Sequence, residues 1–318
     1  MKNKLLILLI TLTAGFLLST ASFAQNWGRG RKYAYKPSTM AYEFGAGVGV
    51  SNFLGELGGA NKIGTNFATD LDMRSSRYAF NAFGRIFYHR RIAQKLSFTY
   101  MKLYGSDART EEAARNNRNL TFRSPVFEVS TQLEVYLISE TPLRSRNRLR
   151  GSIRRGSQNP CNLYLFGGVA GFYFNPKAPG PDGRWHALQP LHTEGQGAFP
   201  TRQPYKRFQL AIPFGLGFSV RVSPLVRIGF EAGLRKTFTD YIDDVSTTYV
   251  DPAVIAASGS SDPALAAALA DPSKGNIPGA TAPGQQRGDP RDKDSYMTLM
   301  LNVHFRIGSS RTSMPKFF

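Results

Sequence analysis

The sequence predicts an all-β protein: an eight-stranded antiparallel transmembrane β-barrel of the outer-membrane type with long extracellular loops. Three observations carry that prediction. An export signal opens the chain, long stretches have an apolar residue at every second position, and the connections between them alternate between short and long.

Lys2 and Lys4 precede an apolar run from Leu5 to Leu18, and Ser22-Phe23-Ala24 places small residues at the two positions a signal peptidase reads. Such a segment is a secretory signal, cut before Gln25, with no cysteine behind it to carry a lipid. The expected order is a signal peptide at 1–24, a periplasmic segment at 25–40, the barrel at 41–308 and a periplasmic tail at 309–318. Cys161 is the single cysteine, so an intramolecular disulfide framework is excluded. A buried thiol or turn residue is a better reading of it than a nucleophile. The formal charge of +18 falls to about +16 once Lys2 and Lys4 leave with the signal. That balance would ordinarily suggest nucleic acid, but export argues against it. Outer-membrane lipids, lipopolysaccharide phosphates or acidic proteins are the expected counter-charges.

Beyond the signal, no stretch reaches the 18 or so apolar residues of a membrane helix; the longest, Phe166 to Phe174 (FGGVAGFYF), is about half that length. A membrane crossing would therefore be made by strands.

The strands follow in chain order. Tyr42 to Val50 sets Phe44, Ala46 and Val48 against Gly45, Gly47 and Gly49. Tyr78 to His89 sets Tyr78, Phe80, Ile86 and Tyr88 against Arg77, Asn81, Arg85 and His89. Leu96 to Tyr104 is the third. In Phe127 to Leu137 the residues Phe127, Val129, Leu133 and Val135 alternate with Glu128, Ser130, Gln132 and Glu134. Leu163 to Phe174 is the fifth. The sixth, RFQLAIPFGLGFSVRV (207–222), carries Phe208, Leu210, Ile212, Phe214, Leu216, Phe218 and Val220 on one face and mostly small or polar residues on the other. Its length exceeds the 3–10 residues usual for soluble strands, and Pro213 predicts a bulge or kink. Leu225 to Tyr241 sets Val226, Ile228, Phe230 and Leu234 against Arg227, Glu231 and Arg235. The last runs from Tyr296 to Ile307.

Connections after the odd strands (51–76, 105–122, 175–205, 241–293) are all long. Of those after the even strands, 89–95 and 223–224 are short and only 139–160 is long. Short periplasmic turns and long external loops are the asymmetry of outer-membrane barrels. Apolar faces then meet lipid, and Arg85, Glu128, Glu134, Glu231 and Arg235 are expected to pair as a charge network in the narrow lumen, where a lone charge would be costly. A soluble β-sandwich or lipocalin-like barrel is the rival architecture; it would turn its apolar face inward.

Catalysis finds little support. His89, His186, His192 and His304 sit in no nucleophile motif, and Gly-x-Ser-x-Gly is absent. Asp240, Asp243, Asp244 and Asp251 cluster in TDYIDDVSTTYVD, but their spacing matches no calcium loop. The sequence implies neither cofactor nor metal.

YLFGGVAGFYFNPKAPG (164–180), LQPLHTEGQG (188–197), IPFGLGF (212–218) and RKTFTDYIDDVSTTYVD (235–251) resemble shared segments of the PorG family, an outer-membrane barrel of the type IX secretion system. YEFGAGVGVSNFLGELGG (42–59) and NLTFRSPVFEVSTQLEVYL (119–137) resemble its first and fourth strands. The resemblance implies an accessory, non-enzymatic barrel that associates with the periplasmic ring of that machinery, serving protein export and, in gliding bacteria, motility. It carries over no catalytic residues. The chain departs from the family in the alanine-rich insert DPALAAALADPSKGNIPGATAPGQQRG, expected as one short helix or none, and in the basic 139–160 segment. There Arg144, Arg146, Arg148, Arg150, Arg154 and Arg155 form the candidate partner-binding patch. The other functional classes open to the sequence are a structural or adhesive barrel, and a small porin or lipid-modifying barrel.

Overall fold

A computed structural model describes residues 41–55, 57, 75–110, 112–141 and 159–307, all within the compact unit Met40–Phe318. The signal peptide, the 25–40 segment, the six arginines from Arg144 to Arg155 and the 309–318 tail lie outside the described residues.

Eight long strands form the barrel: β1 (Ala41–Leu54), β2 (Arg77–His89), β3 (Ile92–Ser106), β4 (Thr121–Ile138), β5 (Cys161–Phe174), β8 (Phe208–Arg221), β9 (Val226–Thr237) and β10 (Ser295–Ile307). Two short strands, β6 (Lys177–Pro179) and β7 (Trp185–Ala187), make a hairpin beyond β5, with β6 joined to the edge of β4. The ladder runs β3-β2-β1-β10-β9-β8-β5-β4, every neighbour antiparallel, and the β3–β4 pairing closes it. Closure leaves no unpaired edge among the eight, the condition for a sheet to stand in hydrocarbon.

The period of two decides which way each side chain points. Phe44, Phe80, Phe98, Phe127, Leu165, Leu216, Phe230 and Leu301 face outward and are exposed, while Glu128, Ser130, Gln132 and Glu134 on β4 are buried inside. The outside is thus apolar and the inside polar, the reverse of a soluble barrel. No helix among the described residues is long and apolar enough to cross a membrane; the crossing is made by strands, and the barrel is of the outer-membrane type.

Pro213 does not produce the expected bulge. The β5–β8 pairing stops at Gly167↔Phe214 and resumes at Ala170↔Ala211 in the same register, while β8–β9 pairing runs through Pro213↔Arg235 without a break. A missing donor interrupts one ladder without adding a residue to it.

Inward glycines make room for long neighbours: Gly217 lies opposite Tyr164, and a Cβ there would collide with the phenol ring. The extracellular third of the lumen is apolar, filled by Phe53, Met101, Leu103, Phe122, Phe172, Phe174 and Met300. The Arg235–Glu128 pair stands among these residues, with Tyr296 touching both Glu128 and Phe172.

The alanine-rich insert (262–288) forms one short helix, α3 (Pro263–Ala270), as one of the two expectations had it; α2 (Pro252–Ala257) precedes it in the same connection, and α1 (Ala113–Arg118) lies in the β3–β4 connection. Asp251 caps α2 by accepting from Ala253 N at 2.7 Å, Asp262 caps α3 through Leu265 N at 3.1 Å, and a proline opens each. Ala266, Leu269 and Ala270 are buried against Leu188, Leu191 and Ala178 of the β5–β8 connection. The insert is therefore part of a folded cap.

Candidate functional site

The lumen collects polar side chains from all eight strands. Arg85 Nη1 donates to Glu43 Oε2 at 2.9 Å and its Nη2 to Glu134 Oε1 at 2.9 Å, and Tyr136 adds a hydroxyl donor to Glu134. Lys95 Nζ holds both oxygens of Glu231 at 2.5 and 2.7 Å, with Tyr164 donating to the same carboxylate. Arg235 forks onto Glu128 at 3.2 and 3.3 Å, joined there by the Tyr296 hydroxyl at 2.8 Å. Toward the periplasm, Arg227 grips Glu140, and Arg306 bridges Glu140 and Glu43. With Arg221 3.9 Å from Glu140, six cations among the described residues (Arg85, Lys95, Arg221, Arg227, Arg235, Arg306) meet five carboxylates (Glu43, Glu128, Glu134, Glu140, Glu231). Bidentate and multiply hydrogen-bonded pairs are what make a buried charge tolerable.

The five network residues named from sequence all stand in this lumen: Arg85 meets Glu134, Arg235 meets Glu128, and Glu231 meets Lys95. Glu231 and Arg235, close in sequence, belong to separate clusters. Sequence reasoning missed Glu43, Lys95, Arg221, Arg227, Arg306 and Glu140. The inward parity of Glu43 with Gly45 and Gly47, and of Lys95 with Ser97 and Thr99, carried the signal. Glu140 follows the end of β4 and had no periodicity to betray it.

The second polar centre lies in the cap, between the β5–β8 and β9–β10 connections. Glu194 accepts from Ser246 N, Thr247 N and the Thr247 hydroxyl, and Arg287 Nη1 donates to it at 2.9 Å. Arg287 also donates to the backbone oxygen of Asp244 at 2.7 Å. Asp244 stands at φ 66°, in the left-handed region, and takes hydroxyl donors from Thr193 at 2.5 Å and Tyr205 at 2.6 Å. Asp240 accepts from the Ser246 hydroxyl at 2.6 Å, and Asp243 from Val245 N at 3.1 Å. The carboxylates of Asp240, Asp243, Asp244 and Asp251 thus accept from hydroxyls and backbone amides of the cap. Among the described residues no group of three or more His, Cys, Asp or Glu is placed to hold a metal ion. The histidines are dispersed: His89 is exposed, His186 meets Asp182 at 2.9 Å, His192 faces Ser258 O, and His304 is buried beside Arg85 and Glu43.

Burial pushes the Asp244 carboxyl up to about 6, with Glu194 adding to the rise, against Arg287 and the Thr193 and Tyr205 hydroxyls, which favour its ionised form. An acid with a folded pKa above its ordinary 3.8 keeps an extra proton in the folded cap. Its stabilisation is complete at low pH and is lost as pH rises through about 6. The cap is expected to lose on the order of 3 kcal/mol across that window. Hydrogen exchange at 193–197 and 240–250, corrected for intrinsic rates, should quicken between about pH 4 and 6.5. Asp244→Asn, which tolerates the positive φ, should flatten the profile. An unchanged slope in the variant would assign the titration elsewhere.

Residues 34–174 match the family model described as a domain of unknown function, DUF6089. No curated protein matches the chain in sequence. Among solved structures, the chain is similar to Ail, the attachment invasion locus protein of Yersinia pestis, with 10% identity, TM-score 0.36, 84% of this chain and 98% of that one covered. It is also similar to the outer membrane protein OprG from Pseudomonas aeruginosa (8%, TM-score 0.35, 86% and 98%). A major outer membrane protein from Thermus thermophilus is a third (11%, TM-score 0.33, 85% and 100%).

Proposed function

We propose that the protein is a non-enzymatic component of the type IX protein secretion system, a barrel that anchors in the outer membrane, associates with the periplasmic ring and is needed for export. One observation supports this reading above others. Three of the segments that resemble the PorG family build the cap and plug: LQPLHTEGQG holds Thr193 and Glu194, RKTFTDYIDDVSTTYVD holds Asp240 and Asp244, and YLFGGVAGFYFNPKAPG supplies Phe172 and Phe174. A generic lipid-facing strand needs none of these residues, so the likeness attaches to a particular construction. The paired lumen and its apolar plug suit a scaffold better than a conduit.

Docking is assigned to Arg144, Arg146, Arg148, Arg150, Arg154 and Arg155 on the periplasmic side, where forked guanidiniums suit carboxylates of a partner. Pull-down of the tagged protein after mild crosslinking should recover periplasmic ring subunits, less so at high salt. Replacing the six arginines by serine should leave the barrel inserted and heat-modifiable while ring recovery and secretion fall. Unchanged recovery removes the segment from docking; absence of ring subunits from the wild-type pull-down leaves a general structural or adhesive barrel. Purified protein should show little conductance in planar bilayers.

A further inference from the structure

The cations of the lumen network meet carboxylates; a group outside does not. Lys102 on β3, Arg123 on β4 and Lys177 on β6 stand on adjoining strands at the extracellular rim, facing outward and half-buried, and none reaches a carboxylate among the described residues. Tyr104 lies opposite Arg123 in the β3–β4 register, and Arg123 lies opposite Lys177. Aromatic rings brace the row. The Arg123 guanidinium sits 4.0 Å from the Trp185 ring centroid, that of Arg77 sits 4.0 Å from Tyr104, and Lys102 Nζ lies 5.9 Å from Tyr78.

Just below runs a row of rings at the level where hydrocarbon begins. Tyr100 lies 6.3 Å from Tyr78 and 4.8 Å from Phe127, and beneath them Phe80, Phe98 and Val129 face outward. Lys102 is one outward step above Tyr100, about 7 Å along the strand. The outward positions of β2, β3 and β4 hold no acid, and the outward positions in the periplasmic half of the barrel strands hold no charge. The cluster of cations therefore stands on one flank and only at the outer-leaflet level.

We propose that this flank binds the phosphorylated lipid anchor of lipopolysaccharide, its acyl chains lying along the Phe80–Phe98–Phe127 surface and its phosphates meeting Lys102, Arg123 and Lys177. Ring stacking covers one face of the Arg123 guanidinium and leaves its N–H edge for a phosphate, the geometry in which arginine forks onto oxyanions. The inference needs the barrel to span the membrane and is independent of the secretion role.

The test uses the full-length protein in neutral detergent. Native mass spectrometry measures binding of bis-phosphorylated lipid A, of the same lipid dephosphorylated, and of inorganic phosphate. Wild type should prefer the phosphorylated lipid by about tenfold or more, the scale of one or two charge-assisted hydrogen bonds. The variant K102Q/R123Q/K177Q should lose that preference, whereas K236Q, at an outward lysine of β9 whose ammonium donates to Lys293 O, should keep it. Heat-modifiable migration should be the same in all three proteins. If the triple variant fails to fold, K102Q alone decides, with a severalfold loss expected. Equal binding of the two lipids, or an unaffected triple variant, overturns the proposal. Full competition by inorganic phosphate at matched concentration overturns it too, assigning the row to free anions.

Discussion

Replacing Arg85 with methionine is expected to destabilise the barrel by about 3–5 kcal/mol, the cost of leaving a buried carboxylate without its partner. The loss should fall on Glu134. Glu43 keeps Arg306 when Arg85 is gone, but Glu134 is left with only the Tyr136 hydroxyl as a hydrogen-bond donor among the described residues. Adding Glu134→Gln to Arg85→Met should therefore restore part of the stability, so that the double variant is destabilised less than the sum of the two singles. Urea titration in micelles, following the heat-modifiable band, reads both. Strict additivity would mean that the two side chains act independently despite their contact.

The other large effect is on the outside. Leu216 lies midway along β8, faces outward and is 48% exposed. Leu216→Arg should cost about 2–4 kcal/mol in a bilayer, whereas Leu225→Arg, at the periplasmic turn after β8, should cost about 0–1 kcal/mol. A depth dependence of that kind is a property of hydrocarbon; a soluble barrel would tolerate arginine equally at both exposed positions. Folding into vesicles in a urea series distinguishes the two. Equal costs would contradict the assigned membrane level.

Period and parity made most of the barrel legible. On β4 the alternation of Phe127, Val129 and Val135 with Glu128, Ser130 and Glu134 states which face meets lipid, and the structure orients it so. The signal weakens where both faces are apolar. Phe172 and Phe174 point inward while Tyr173 points out, so FGGVAGFYF reads as a plain apolar run and hides the plug. The pairing inside the lumen was illegible for another reason. Which carboxylate meets Arg235 depends on shear around the closed sheet, and its partner Glu128 lies 107 residues away. The cap was hidden too. Asp251-Pro252 and Asp262-Pro263 are legible helix starts, but α2 and α3 are short, and what fixes them is burial of Leu269 and Ala270 against Leu188 and Leu191.

The Glu194–Arg287 contact has a consequence for the order of events during assembly. Its partners are separated by 93 residues, and between them lie β8 and β9. Loop closure over that distance is entropically unfavourable until intervening strands have paired and brought the two connections to the same rim. Arg118, on the β3–β4 connection, donates to the Arg287 backbone oxygen and joins a third connection to the same point. The latch can therefore engage only once the hairpins on both flanks are in register, so its protection from exchange is a clock for the final step of barrel maturation.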